Sequence, residues 1–194
     1  MNLPNRLSLT RIILLPFMMF CYMATFIPQG YGKLAALVIF IIAAITDMLD
    51  GQIARKRNLI TDFGKFIDTI ADKMLTFTAL FLFMVDGTLP HPYGIIFAFI
   101  NLLRDLLVMG IKSLCASQGV VMCAEQVGRI KFFISTIAYP LGFVVAMLNA
   151  FAVTGVVLLI FEILFYVLMG ITAVLTVYSG IYYIVKYRGI FKEI

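Results

Sequence analysis

The chain has 194 residues, 63% of them hydrophobic, with a mean hydropathy of +1.06 and a net charge of +5. A soluble domain of this length is nearer half apolar and could not cover so much apolar surface, so a membrane class is the first implication. The small, scattered positive charge excludes a nucleic-acid surface and fits the basic loops on the inner side of a membrane protein.

A spanning helix takes about 20 apolar residues. A chain this short therefore holds six transmembrane helices in one membrane domain over 1–194, with no separate soluble domain. In chain order the apolar stretches run over 7–28, 34–54, 63–85, 92–116, 127–150 and 154–186. The first follows Arg6 and Arg11 as a signal peptide would, but "YMATFIPQG" is a weak cleavage site, and it reads as a retained helix. Turn chemistry marks the breaks "IPQGYG", "VDGTLPHPYG" and "LNAFAVTG". His91, flanked by prolines, reads as a loop residue. Cys21, Cys115 and Cys123 lack metal-ligand spacing and read as apolar fillers. The last stretch is too long for one crossing, so the tail "KYRGIFKEI" is expected to project into the cytoplasm.

The basic residues gather at one set of helix ends: Arg6, Arg11, Arg55, Lys56, Arg57, Lys65, Lys112, Arg129, Lys131, Lys186, Arg188 and Lys192. The opposite ends hold little more than Lys33. The positive-inside rule then places both termini and the 52–62 and 113–127 connections in the cytoplasm, and six spans agree with that.

Within this apolar pattern lies "TDMLDGQIARKRNLITDFGKFIDTIADKM". One carboxylate near the bilayer centre costs about 2.5–3.5 kcal/mol, and here there are Asp47, Asp50, Asp68 and Asp72. Asp47, Asp50, Gly51 and Ala54 follow i, i+3, i+4, i+7 and share one face of the second helix. Gly64, Asp68 and Asp72 follow i, i+4, i+8 and share one face of the third. A connection of a few residues makes the two helices antiparallel neighbours, with all four acids at the cytoplasmic end. Four such charges repel strongly, so they are either partly protonated or hold cations, and oxygen-only ligands suit hard ions such as magnesium, manganese or calcium. The rival reading is interhelix salt bridging to Arg55, Lys65 and Lys73. It leaves the small residues beside the acids unexplained, except as close helix packing. Two carboxylate-held metals can clamp a phosphate for in-line displacement, and a site at the membrane boundary suits a lipid phosphate with a water-soluble acceptor.

The pattern Asp47-x2-Asp50-Gly51-x2-Ala54-Arg55-x8-Gly64-x3-Asp68-x3-Asp72 is similar, at every fixed position, to the signature of the CDP-alcohol phosphotransferase family. That resemblance implies an all-α polytopic membrane protein and a homodimer. It implies two divalent ions, Mg2+ or Mn2+, at Asp47, Asp50 and Asp68, with Asp72 also at the metals and acting as general base. It implies that Gly51, Ala54, Arg55 and Gly64 hold the CDP part, helped by Thr61, with CMP as the leaving group. The opening "MNLPNRLSLTR", "LLRDLLVMGIK" and "GVVMCAEQVGRIK" resemble the branch of the family that moves a phosphatidyl group from CDP-diacylglycerol to glycerol 3-phosphate, with Asn5 touching the CDP part. Arg104, Lys112, Arg129 and Lys131 are candidates for the acceptor's phosphate. Arg104 beside Asp105 reads equally as a neutralised helix pair, and Arg129 and Lys131 also read as flanking charges. Phe132 and Phe133 depart from the Lys-Thr pair of related synthases, which bears on the acceptor and not on the metal chemistry.

Two rival functions stay open at this point. The same chemistry would serve phosphatidylglycerol, serine or an inositol phosphate as acceptor. A cation transporter would also carry intramembrane acids, but it would need them along a path across the bilayer, and Arg55 would oppose the ion.

Overall fold

The computed structural model describes residues 3–56, 61–119 and 126–189, with side chains apart from 3–5, 29, 48–56, 62 and 65. The described residues form six α-helices: α1 Leu3–Met23, α2 Gln29–Lys56, α3 Asp62–Val85, α4 Tyr93–Ser117, α5 Gln126–Ala150 and α6 Val156–Lys186. Five are long and apolar enough to cross a membrane. The exception is α3, because every 18-residue stretch of it contains Asp68, Asp72 and Lys73. The chain is a multi-pass membrane protein. Its surface is correspondingly apolar, with Ile13, Val174 and Ile181 well exposed.

The first turn lies earlier than the expected boundaries of 28 and 34. α2 starts at Gln29, where the carbonyl of Pro28 accepts from the amides of Tyr31 (2.9 Å) and Gly32 (3.2 Å). A proline suits a helix start, where its missing N–H is not needed. The glycines of "QGYG" therefore belong to the helix. A Cβ at Gly32 would come within 2.4 Å of the Cys21 carbonyl oxygen, so glycine allows α2 to press against the end of α1.

The chain divides into two compact units, Met1–Pro90 with Tyr139–Glu162, and His91–Ala138 with Ile163–Ile194. In the first unit α1 packs against both α2 and α3, whereas α2 and α3 touch each other much less among the described residues. Each helix turns one buried stripe inward: Ser8, Arg11, Leu15, Met18 and Tyr22 from α1; Lys33, Ala36, Phe40 and Ala43 from α2; Ala71, Leu75, Ala79, Leu82 and Phe83 from α3. Alanines recur because small side chains let helices approach closely in a membrane. Phe143 of α5 fills the middle, its ring 4.8 Å from Phe83, 5.2 Å from Phe40 and 5.9 Å from Tyr22.

The second unit buries polar side chains among apolar ones such as Phe97, Ile111, Phe165 and Met169. Asn101 of α4 and Thr172, Thr176 and Ser179 of α6 are buried, and Thr176 Oγ1 lies 3.3 Å from Asn101 Oδ1. Buried Cys21 and Cys115 are free thiols, as expected of fillers. His91 is exposed between α3 and α4. Cys123 and the tail from 190 lie outside the described residues.

Candidate active site

The buried stripe of α2 (36, 40, 43) has its next helical position at Asp47, and that of α3 begins one turn before Ala71 with Asp68. The stripe of α1 carries Arg11 at the same end of the unit. The three side chains meet: Arg11 Nη1 donates to Asp47 Oδ1 and also lies 3.4 Å from Asp68 Oδ1. Arg11 is fully buried, while Asp68 keeps 47% of its side chain exposed. The cluster is thus closed on the α1 side and open on the α3 side. Asp72 sits one turn further along α3 and is half-buried.

Sequence reasoning missed Arg11, counting it among cytoplasmic flanking charges. The signal was present, because Arg11 lies inside the first apolar stretch and at helical spacing from Leu15, Met18 and Tyr22. Asp47 of α2 and Asp68 of α3 share this guanidinium of α1.

The opposite end of the first unit has its own charged cluster. Lys33 Nζ donates to Asp86 Oδ2 at 2.7 Å, Tyr22 donates to the same oxygen, and the Thr88 amide donates to Asp86 Oδ1 at 3.0 Å. One positive and one negative charge balance there. At the Arg11 end, one guanidinium faces two carboxylates, with Asp72 a turn away.

Among the described contacts of Arg11 the carboxylates outnumber the guanidinium, and a divalent cation would neutralise such a pair. Carboxylates from two different helices already converge on a single cationic partner, and their donors are all oxygen, which fits a hard divalent ion. The side chains of Asp50, Gly51, Ala54 and Arg55, like those of Asn5 and Lys65, lie outside the described residues. α2 does continue as a helix through positions 50–55. Thr61 is the N-cap of α3, its hydroxyl accepting from the Gly64 amide at 3.0 Å. A hydroxyl residue three positions before the glycine thus has a local reason in addition to any ligand role.

In the second unit the structure brings two of the four candidate acceptor residues together. Arg104 Nη1 donates to Asp105 at 3.0 Å, and Lys131 Nζ lies 3.8 Å from the same Oδ1. Arg104 Nε donates to Ser179 Oγ at 3.0 Å, and its guanidinium carbon lies 5.8 Å from the Tyr183 ring centre. Gly180 lies against its aliphatic stem, where a Cβ would stand 3.4 Å from Arg104 Cγ, an ordinary contact. Lys112 and Arg129 are exposed and do not join this cluster among the described contacts.

The aspartate pattern thus stands at a helix end, open to one side, in a chain of membrane-crossing helices. Residues 1–181 match the sequence model of the CDP-alcohol phosphatidyltransferases, and the chain belongs to that family. Among its relatives are three proteins with more particular names. A Bacillus subtilis CDP-diacylglycerol–glycerol-3-phosphate 3-phosphatidyltransferase is 38% identical over 148 residues, covering 71% of this chain and 74% of the relative. The Rickettsia felis protein of the same name is 29% identical over 182 residues, covering 94% and 93%. A Mycobacterium tuberculosis probable phosphatidylglycerophosphate synthase is 34% identical over 173 residues, covering 88% and 78%.

Proposed function

We propose that this chain transfers the phosphatidyl group of CDP-diacylglycerol to sn-glycerol 3-phosphate, giving phosphatidylglycerophosphate and CMP. The observation that carries the reading is the convergence of Asp47 and Asp68, from separate helices, on one cationic centre within the family's motif. The relatives' names supply the donor and the acceptor.

Asp47, Asp50, Asp68 and Asp72 would hold two divalent ions, Mg2+ or Mn2+. When bound, such ions supply electrostatic stabilisation to the phosphate oxygens and the leaving group. Asp72 takes the proton of the acceptor hydroxyl, whose oxygen attacks the lipid-linked phosphorus, and the bond to CMP breaks with its electron pair. Asn5, Gly51, Ala54, Arg55, Thr61 and Gly64 bind the CDP part, and small residues there let a ligand approach the helix backbone. Arg104, Lys112, Arg129 and Lys131 bind the acceptor's phosphate. Arg104 and Lys131 carry the stronger support, because they already converge on one anion, Asp105. The chain acts as a single membrane domain and a homodimer, with six spans, the aspartate end and both termini on the cytoplasmic side.

The test is CMP release by the detergent-purified protein with CDP-diacylglycerol, Mg2+ or Mn2+, and each acceptor in turn. Release that requires glycerol 3-phosphate and stops with EDTA is expected. Release with phosphatidylglycerol, serine or an inositol phosphate instead would keep the class and overturn the acceptor.

A further inference from the structure

Arg11 is a charged residue at the aspartate end that the proposed chemistry does not use. It is wholly buried, and its Nη1 contacts one oxygen of Asp47 and one of Asp68. A carboxylate offers a limited set of lone pairs, and a guanidinium draws on the same ones as a metal ion would. Positive charges that close together also repel in a weakly screening interior. Yet without any cation the acids would stand unneutralised at the end of a membrane bundle, which is costly.

We propose that Arg11 is a built-in counter-cation: it holds the Asp47–Asp68 pair together in the metal-free chain and competes with divalent ions for those carboxylates. The proposal rests on the metal-holding reading of Asp47 and Asp68 given above. It makes Arg11 a positioning residue that keeps the site folded while empty and sets its metal affinity lower than the carboxylates alone would give. A merely structural arginine would lower stability by the same amount with and without metal, and would not raise metal affinity when removed.

The experiment compares the wild-type chain with Arg11→Gln, both purified in detergent. Mn2+ binding is read from the EPR signal of the free ion, and melting is followed in EDTA and in Mn2+. The expected result is a Kd for Mn2+ lower by roughly tenfold or more in Arg11→Gln. Its melting temperature should be lower than wild type in EDTA and recover in Mn2+, because a ligand that binds only the folded state stabilises it in proportion to its affinity. Unchanged or weakened Mn2+ binding in Arg11→Gln would overturn the proposal. If Arg11→Gln does not fold, Arg11→Gln combined with Asp47→Asn removes the more buried pair and leaves Asp68, which is 47% exposed, so it should melt in EDTA no lower than Asp47→Asn alone. A further loss in the double variant would equally overturn it. Failure of the underlying metal reading shows up elsewhere, in a wild-type chain whose Mn2+ binding is absent or indifferent to Asp47→Asn, and that result would remove both.

Discussion

Single side chains at the aspartate end divide the labour by their surroundings. Asp47 is tied to a buried guanidinium, Asp68 is tied to it more loosely and stays half open, and Asp72 lies one turn along the same face. The proposed mechanism has Asp72 exchange a proton with an incoming hydroxyl, which needs access, and Asp68 one turn before it is 47% exposed. Replacing Asp72 by Asn is expected to lower CMP release by about 10²–10⁴ or more. CDP-diacylglycerol should still raise the melting temperature of that variant, which separates binding from turnover. Turnover near wild type in a folded Asp72→Asn chain would remove the base assignment. The four acids stood out in the sequence because charge in an apolar helix is rare. Arg11 did not, because a cation near a helix end has an ordinary explanation as a flanking charge. Its role is decided by two partners 36 and 57 residues away, which no local pattern specifies.

At the level of the helices, the first unit is a three-helix frame with a charged cluster at each end and an aromatic centre around Phe143. The two ends differ in charge balance, and their expected responses differ accordingly. Lys33 and Asp86 are nearly buried, with side-chain exposures of 10% and 14%, so their pair works as a clamp between α2 and the end of α3. Lys33→Met leaves Asp86 without its cation in a poorly screened place and is expected to cost about 3 kcal/mol of stability. Lys33→Arg should restore most of that loss, and Mn2+ affinity should not move in either variant. Thermal melting in detergent beside the Mn2+ titration checks both parts. In the sequence Lys33 stands out as the odd cation among the helix ends opposite the basic set. Asp86 was not linked to it, because "VDG" at a helix end has an adequate local reading as a turn. The helix limits themselves were legible almost throughout, since apolar length fixes a span. The exception, the early start of α2, turns on Gly32 meeting the Cys21 carbonyl, a contact between two helices.

For the molecule as a whole, α3 is the helix on which the threading of the bilayer depends. If α3 crosses in spite of Asp68, Asp72 and Lys73, the loop at His91 lies outside and the end of α6 inside. In a Cys123→Ser background, where the two remaining cysteines are buried, His91→Cys should react with an impermeant maleimide on intact cells. Lys186→Cys should react only after the membrane is opened. The reversed pattern, Lys186→Cys labelled from outside and His91→Cys protected, would mean that α3 does not cross, and labelling of both from outside, or of neither, would contradict the crossings of α4, α5 and α6. The sequence by itself determined the membrane class, the six helices and the aspartate pattern, because apolar length and helical spacing are local properties that each segment carries within itself. Only the tertiary structure decided which charges meet: Arg11 with Asp47 and Asp68, Lys33 with Asp86, and Arg104 and Lys131 with Asp105. A buried charge takes the partner that helix packing brings within a few ångströms, and that choice depends on which faces of distant segments come together.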